Sequence, residues 1–352
     1  MGLTAHQRSL ITKARTGGGS DLGVALDDPV CCYLLATIVS DLGLEQSFPD
    51  IPGHVEPFFG SKSISDLRLP GLNFLTLFER LVYERPDADT YFFCLATLHK
   101  ARLKYERILQ SQAIPTIDQV GPRGLLQYGT LSTSGLVGLL FWRKWMFDID
   151  NRAGQETGYV FEPIIAYAIG GVPYSAKKSP VKRGGRGDQG RQVDCVINDK
   201  AYEIKIRVTI AASGQGRWHE ELEFPKDCQA SGYQPVLVVL DPTPNSKLDE
   251  LSRAFISAGG EAYIGMQAWN HLAEAAGSTM AAFLELYVHQ PLRSLVSAVR
   301  DELPELRLRF DQDNIVMEIG TEYLAIQRTL TENLVAEPEE LPEDVDESGP
   351  VP

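Results

Sequence analysis

The chain has 352 residues, of which 43% are hydrophobic and 23% are charged, values typical of a globular protein with a sizeable core. No stretch approaches the roughly 18 uncharged apolar residues that a membrane span needs, and the first residues lack the apolar centre of a secretion signal. The five cysteines have no CxxC spacing, which argues against a disulfide framework or a zinc site. We therefore expect a cytoplasmic protein whose thiols stay reduced.

The net charge of −14 argues against a protein that coats nucleic acid indiscriminately. Residues 331–352 carry eight acids and no base, so residues 1–330 carry only −6. Conversely, residues 176–191 carry six bases and one acid. Because the local field decides where a phosphate backbone can bind, one segment of the chain remains suited to DNA.

The first half of the chain is predicted to be mainly helical. Residues 1–23 look loosely ordered, with flexible linker chemistry at residues 17–20, Gly-Gly-Gly-Ser. Five helical patterns follow, and they cover residues 27–44, 73–83, 89–110, 134–147 and 151–169. Pro163 lies inside the last pattern and predicts a kink or a new first turn.

The pattern then changes to strands after a basic, glycine-rich loop at residues 175–191. Residues 192–198 and 201–210 are rich in β-branched side chains and are separated by a short turn, which predicts an antiparallel hairpin. A helix at 219–231, a strand at 235–240, a helix at 247–258 and a strand at 261–265 complete the order. This alternation predicts an α/β fold with a mixed sheet flanked by helices. Further along, residues 267–301 are helical, 307–310 and 315–319 form a second hairpin, and the acidic tail from 331 is disordered.

The first hairpin carries the chemistry. Asp194 lies on its first strand, and Glu203 and Lys205 lie two residues apart on its second, so the last two share a face. Two neighbouring carboxylates repel each other unless a cation binds between them, and Mg²⁺ prefers such oxygen ligands. A metal-activated water and the Lys205 ammonium would then suffice to hydrolyse a phosphodiester. The alternative is a surface Glu–Lys pair on an ordinary hairpin.

These residues resemble the PD-(D/E)XK nuclease superfamily. The resemblance rests on Asp194, on the triplet Glu203-Ile204-Lys205, on an acidic helix before the hairpin and on the element order after it, and it covers roughly residues 150–265. It implies Mg²⁺ as cofactor, Asp194 and Glu203 as metal ligands and Lys205 as a catalytic group. It also implies a further carboxylate from the preceding helix, which matches Glu162 or, less well, Glu156. The chain departs from the pattern in one place, since Val193 replaces the proline.

Two segments are candidates for DNA contacts. Basic side chains of the glycine-rich loop could lie along phosphates, although a solvated loop would have the same composition. These are Lys177, Lys178, Lys182, Arg183, Arg186 and Arg191. After the hairpin, Gln215 and Arg217 are side-chain types that read base edges, and Trp218 could stack, although a polar connection explains them equally well. His219 and Glu220 could also reach the metal.

The chain is similar to type II restriction endonucleases, and to the ApaLI-like group among them, because it has one nuclease core, a long helical extension and no P-loop. That likeness implies cleavage of double-stranded DNA at the palindrome GTGCAC by a two-fold homodimer. It also implies a cognate DNA methyltransferase that modifies the same site without needing to bind this chain. Two alternatives remain open: a repair, structure-specific or modified-base-directed nuclease of the same fold, and a non-catalytic interaction protein.

The expected organisation is a helical region at 1–149 for dimerisation or for embracing DNA, a catalytic core at 150–270 and a C-terminal helix and hairpin at 271–330. The acidic tail at 331–352 follows. We expect these parts to form one compact unit, since no long linker separates them.

Overall fold

A computed structural model describes residues 2–17, 23–60, 63–185, 189–206, 215–241, 243, 246–298 and 303–329. The ten α-helices of this part are α1 (Ala5–Arg15), α2 (Asp28–Asp41), α3 (Phe74–Glu84), α4 (Ala88–Ser111), α5 (Ile117–Val120), α6 (Thr133–Ala168), α7 (Gln215–Ala230), α8 (Ser246–Ser257), α9 (Met266–Leu284) and α10 (Gln290–Val296). A π-helix, Glu285–His289, joins α9 to α10. Short 3-10 helices cover Glu45–Ser47, Ile64–Asp66, Gly121–Gln127 and Arg183–Gly185.

Eight strands form two sheets in the described part of the chain. The strands are β1 (Val172–Tyr174), β2 (Val193–Ile197), β3 (Lys200–Lys205), β4 (Gln234–Val239), β5 (Glu261–Ile264), β6 (Leu306–Asp311), β7 (Asn314–Ile319) and β8 (Glu322–Gln327). The first five form one sheet in chain order, antiparallel from β1 to β3 and parallel from β3 to β5. This mixed sheet with helices confirms the predicted α/β class.

Alternating side chains of the five-stranded sheet face two different layers of helices. On β4, Val236 and Val238 belong to the large core that α2, α3, α4, α6 and α9 complete. Leu237 and Val239 point the other way and pack with apolar residues of α7 and α8. Because neighbouring side chains on a strand face opposite sides, the sheet is buried on both faces. This explains the continuous apolar sequence of β4.

The N-terminal segment differs from the prediction, because residues 5–15 form helix α1 rather than a loose segment. Thr4 and Gln7 cap the helix reciprocally, which satisfies two backbone N–H groups. Leu10 and Ala14 are buried as well. The loose segment was predicted from the glycine-rich run at residues 17–20, whereas the capping pair at Thr4 and Gln7 indicates a helix. Residues 18–20 of that run lie outside the described residues.

The two helices predicted at 134–147 and 151–169 are one helix, α6, which also crosses the expected boundary at residue 149. Trp145 lies just before the predicted break and Ile149 lies within it, and both are buried against Ile315 and Ile326 of the second sheet. Tertiary packing therefore keeps the helix continuous through residues 148–152, which are polar except for Ile149. Pro163 lies inside it.

The sequence prediction missed two strands. β1 is only three residues long and lies directly before the basic loop, so its pattern is too short to detect. β8 turns the predicted C-terminal hairpin into a three-stranded antiparallel sheet.

The five cysteines are all buried and unpaired, as expected. Across the described residues, no helix is both long enough and apolar enough to cross a membrane. The acidic tail from residue 331 lies outside these residues, so its predicted disorder remains a prediction.

Candidate active site

The end of the β2–β3 hairpin brings the predicted carboxylates together. Cys195 pairs with Tyr202, so Asp194 and Glu203 follow at the same end of two antiparallel strands. The Asp194 Oδ2 atom accepts a hydrogen bond from the backbone N–H of Ile204 at 2.8 Å. This bond fixes one oxygen of the carboxylate and leaves the other available to a ligand.

Lys205 lies between two carboxylates from different elements. Its Nζ atom is 3.1 Å from Glu203 Oε1 on the same strand and 3.4 Å from Glu221 Oε1 on α7. The first contact confirms that side chains two apart on β3 share a face. Only 17% of the Lys205 side chain is exposed, so its charge is largely compensated by these carboxylates rather than by water.

Glu162 of α6 belongs to the same cluster. Burial, together with the nearby charge of Glu203, raises its pKa to about 7, although Lys205 lowers it in part. Glu156, the other candidate, forms an ion pair with Lys104 of α4. Of the two glutamates that the sequence left open, Glu162 is therefore the one near the hairpin.

The pKa shifts show that several carboxyl groups share one buried site. Burial raises the pKa of Asp194 well above its usual range, and the charges of Glu203 and Glu162 raise it further. Burial by itself lowers the pKa of Lys205, but the neighbouring carboxylates outweigh it and raise the pKa above its usual value. One buried ammonium thus faces several carboxyl groups, an arrangement that a further cation would stabilise.

Sequence reasoning missed Glu221. It considered His219 and Glu220, yet both are exposed, and Glu220 forms an ion pair with Arg183 at 3.1 Å. Glu221 precedes the buried residues Phe224 and Cys228 by three and seven positions, and therefore lies on the buried face of α7. This helical spacing was the available signal.

The donor set fits a hard divalent cation. No group of three or more His, Cys, Asp or Glu side chains in the described part of the chain is arranged to hold a metal ion by itself. Mg²⁺ requires less, since it is commonly held by one or two carboxylates and keeps several waters. Asp194 and Glu203, at the same end of the hairpin, supply such a pair.

Comparisons with known proteins agree on one family. The family model for ApaLI-like restriction endonucleases matches residues 72–289. The type II restriction enzyme ApaLI of Acetobacter pasteurianus is 47% identical over 267 residues, which cover 71% of each chain. The chain belongs to the ApaLI-like restriction endonuclease family. No solved structure matched it.

The ApaLI-like match includes all the clustered residues, since Glu162, Asp194, Glu203, Lys205 and Glu221 lie between residues 72 and 289. It leaves out α1 and α2 before it and the second sheet after it.

The basic loop of this ApaLI-like chain is partly engaged in internal contacts. Lys177 and Lys178 are exposed. The Lys182 Nζ atom donates to the Ser179 carbonyl oxygen at 2.9 Å, and its backbone N–H donates to Ser231 Oγ. Arg183 is exposed but shares its charge with Glu220. Lys177, Lys178 and Arg183 therefore remain the candidates in the described part of this loop for contact with a DNA backbone.

The other proposed DNA contacts have different surroundings. Arg191 is buried beside Asp227 at 2.6 Å, so we leave it out of the proposed DNA-contacting set. Trp218 is half-buried against the core formed with α7 and α8, and the Lys247 ammonium lies 5.3 Å from its ring. Arg186 lies outside the described residues, as do the side chains of Gln215 and Arg217.

Proposed function

We propose that this chain is a type II restriction endonuclease that hydrolyses phosphodiester bonds of double-stranded DNA with the help of Mg²⁺. Asp194 and Glu203 hold the metal, Lys205 assists the reaction, and Glu162 completes the centre. The proposal places the chain in the PD-(D/E)XK superfamily. Its main support is the convergence of these four side chains at one end of the hairpin.

The element order supports the same fold. Helix α6 delivers Glu162, the hairpin follows, and α7, β4, α8 and β5 extend the sheet in parallel. Asp194 and Glu203 stand at a sheet end where α7 also approaches, as the Lys205–Glu221 contact shows. A phosphodiester placed there meets carboxylates, an ammonium and a helix within one small volume.

The metal, the Asp194 carboxylate and the Lys205 ammonium each have a different role in the proposed hydrolysis. When bound, Mg²⁺ supplies Lewis-acid activation of the attacking water and offsets the charge of the carboxylates. The Asp194 carboxylate is held in place by the Ile204 N–H group. The Lys205 ammonium can stabilise the extra negative charge that develops on the phosphate oxygens in the transition state.

We propose that the target is a palindrome, GTGCAC, and that a cognate methyltransferase protects the same site. This target is the one that the resemblance to the ApaLI-like group implies. A palindromic target fits a homodimer with two-fold symmetry, in which each subunit cuts one strand.

The exposed apolar side chains near the start of α6 support a homodimer. We call residues 117–147 the apolar segment, in which α5, a 3-10 helix and the first half of α6 pack on one another. Its large exposed apolar residues are Ile117, Leu125, Leu126, Tyr128, Leu131, Leu139 and Phe147. Large apolar side chains exposed in such number along one segment are typical of a protein–protein contact surface. A second copy of the chain is the partner that we propose for it.

The decisive experiment incubates the purified protein with plasmid DNA that carries GTGCAC, in Mg²⁺ and in EDTA. We expect discrete fragments that need Mg²⁺ and whose ends map to that sequence. Lys205→Ala should abolish them. Lys200→Ala is the matched control on the same strand, because Lys200 pairs with Glu261 on β5, two strands away, and lies at the opposite end of β3 from Lys205.

Each outcome separates the alternatives. Random degradation, or cleavage restricted to damaged or modified DNA, would favour a different nuclease of the same fold. Intact DNA with a folded wild-type protein would remove the nuclease proposal altogether. Full cleavage by Lys205→Ala would show that the hairpin is not the active centre.

A further inference from the structure

Lys205 has two carboxylate partners, and they differ in what else they do. Glu203, 3.1 Å away, is also a proposed metal ligand. Glu221, 3.4 Å away on α7, has no such task. Its second oxygen, Oε2, is buried and has no hydrogen-bond partner among the described residues. Glu221 is therefore directed to Lys205 and has spare capacity to accept a hydrogen bond.

Metal binding changes the surroundings of Lys205. A carboxylate that coordinates a divalent cation gives most of its charge to that cation, so Glu203 becomes a weaker partner for the ammonium. An ammonium that is mostly shielded from water needs a compensating charge, and loses its defined position when that charge is withdrawn. Glu221 is the carboxylate that stays.

We propose that Glu221 is a positioning residue that holds the Lys205 ammonium in place while Glu203 is engaged by the metal. This inference rests on the proposed function, because it gives Lys205 its task in the reaction. The ammonium has three N–H donors, so one can bind Glu221 while the others face the reacting phosphate. The unpartnered Oε2 atom allows Lys205 to shift along the same carboxylate without losing its contact.

The location of Glu221 gives this contact mechanical support. Phe224 and Cys228, which follow Glu221 on the same face of α7, are buried against the sheet beside Ala201 of β3. The carboxylate is thus fixed to a packed helix rather than to a loop. A packed support of this kind keeps a catalytic group within the narrow tolerance that chemistry requires.

The test compares Glu221→Gln with wild-type protein in Mg²⁺-dependent cleavage of a GTGCAC duplex. Glutamine keeps the size and removes the charge. We expect kcat to fall about 10–100-fold, the usual cost of losing a supporting contact, while KM for DNA changes less than about twofold because Glu221 makes no proposed DNA contact. Glu221→Asp keeps the charge and should recover part of kcat. Glu223→Gln, on the same helix in an exposed pair with Lys226, is the control and should behave as wild type.

Calorimetric titration of the protein with Ca²⁺ in the absence of DNA supplies a readout independent of cleavage. A positioning role predicts that Glu221→Gln binds Ca²⁺ as wild type does and melts at a similar temperature. Wild-type kcat in Glu221→Gln would overturn the proposal. A loss of Ca²⁺ affinity that matches the loss of kcat would also overturn it, since Glu221 would then act as a metal ligand. Failure of the proposed function is a separate result, because wild-type protein would then not cleave.

Discussion

Arg191 and Asp227 form an ion pair in the interior of the protein, with 9% and 5% of their side chains exposed. Asp227 also accepts a hydrogen bond from the backbone N–H of Gly184, and Arg191 donates to the Glu220 carbonyl oxygen. The pair therefore ties the basic loop to α7. Arg191 thus stabilises the loop that carries the exposed lysines.

Removal of one side chain of the Arg191–Asp227 pair should destabilise the protein. Arg191→Ala leaves the Asp227 carboxylate buried without its cation, and we expect a loss of about 3–5 kcal/mol in the free energy of unfolding. Urea denaturation measures it. Arg183→Ala, which breaks an exposed pair with Glu220, is the control and should change stability by less than about 1 kcal/mol. Unchanged stability in Arg191→Ala together with weaker DNA binding would return Arg191 to the DNA-contacting set.

The carboxyl cluster should make the metal-free protein less stable at higher pH. Glu162 has a pKa of about 7 in the folded protein, mainly because of burial, which lies above the usual value for glutamate. The folded state therefore binds more protons than the unfolded state between about pH 4 and pH 7, and stability falls as pH rises through this range. We expect the melting temperature in EDTA to decrease from pH 5 to pH 8, and Glu162→Gln to reduce that decrease. A slope that Glu162→Gln leaves unaltered would contradict this origin.

At the residue scale, the sequence predicted those site residues whose positions depend only on the geometry of the β2–β3 hairpin. Glu203 and Lys205 share a face because they are two apart on β3, and Asp194 follows from the hairpin register. The Lys205–Glu221 contact depends on how α7 packs on the sheet, and the burial of Arg191 depends on Asp227, 36 residues away. Helical spacing places Glu221 on the buried face of α7, but local spacing alone predicts neither of the two pairings.

At the scale of elements, the junction between α6 and β1 allows no side chain at residue 171. A Cβ atom on Gly171 would lie 2.1 Å from Cys195 Sγ and 2.7 Å from Ile197 Cγ1. β1 can therefore approach β2 only because residue 171 is glycine. The strand that carries Asp194 thereby packs against the helix that carries Glu162.

Gly171→Ala should separate β1 from β2. We expect a loss of about 1–3 kcal/mol in stability from overpacking, and reduced cleavage because Asp194 adjoins Cys195. Gly154→Ala is the control: it lies within α6 with nothing within 4 Å of the added Cβ, and should stabilise the protein by about 0.5–1 kcal/mol. Thermal unfolding measures both. Equal melting temperatures for the two variants would show that the junction tolerates a side chain.

The types of the helices and strands were largely predictable from the sequence, but the residues at which some of them begin and end were not. The amphipathic and β-branched patterns predicted α2, α3, α4, β2, β4 and β5 within a few residues, and also the start of β3, whose predicted end at residue 210 lies outside the described residues. The course of α6 through residues 148–150 follows instead from the burial of Trp145 and Ile149 under the second sheet. Packing against the second sheet, more than 150 residues further along the chain, thus determines the length of α6.

At the scale of the whole molecule, the apolar segment leads to a prediction about assembly. Leu126 is 98% exposed, so Leu126→Lys should leave the fold of the subunit intact. If two copies meet at this segment, burial of two lysine charges at the interface should shift the protein from dimer to monomer in sedimentation experiments. Leu295→Lys, in α10 and also exposed, is the control and should remain dimeric. A dimeric Leu126→Lys would place the interface elsewhere, and a monomeric wild type would remove the homodimer from the proposed function.

The order of strands in the five-stranded sheet has a consequence for synthesis on the ribosome. Each strand lies beside its neighbour in the chain, and the helices α2, α3, α4 and α6, which cover one face, all precede the sheet. Since translation delivers the N-terminus first, these four helices are made before the strands that they cover, and α9, which covers the same face, is made after them. The proposed catalytic groups are all translated by residue 221, whereas β4, the parallel partner of β3, begins at Gln234. A nascent chain therefore carries the chemical groups of a DNA-cutting enzyme before it carries the strand that makes β3 an interior strand.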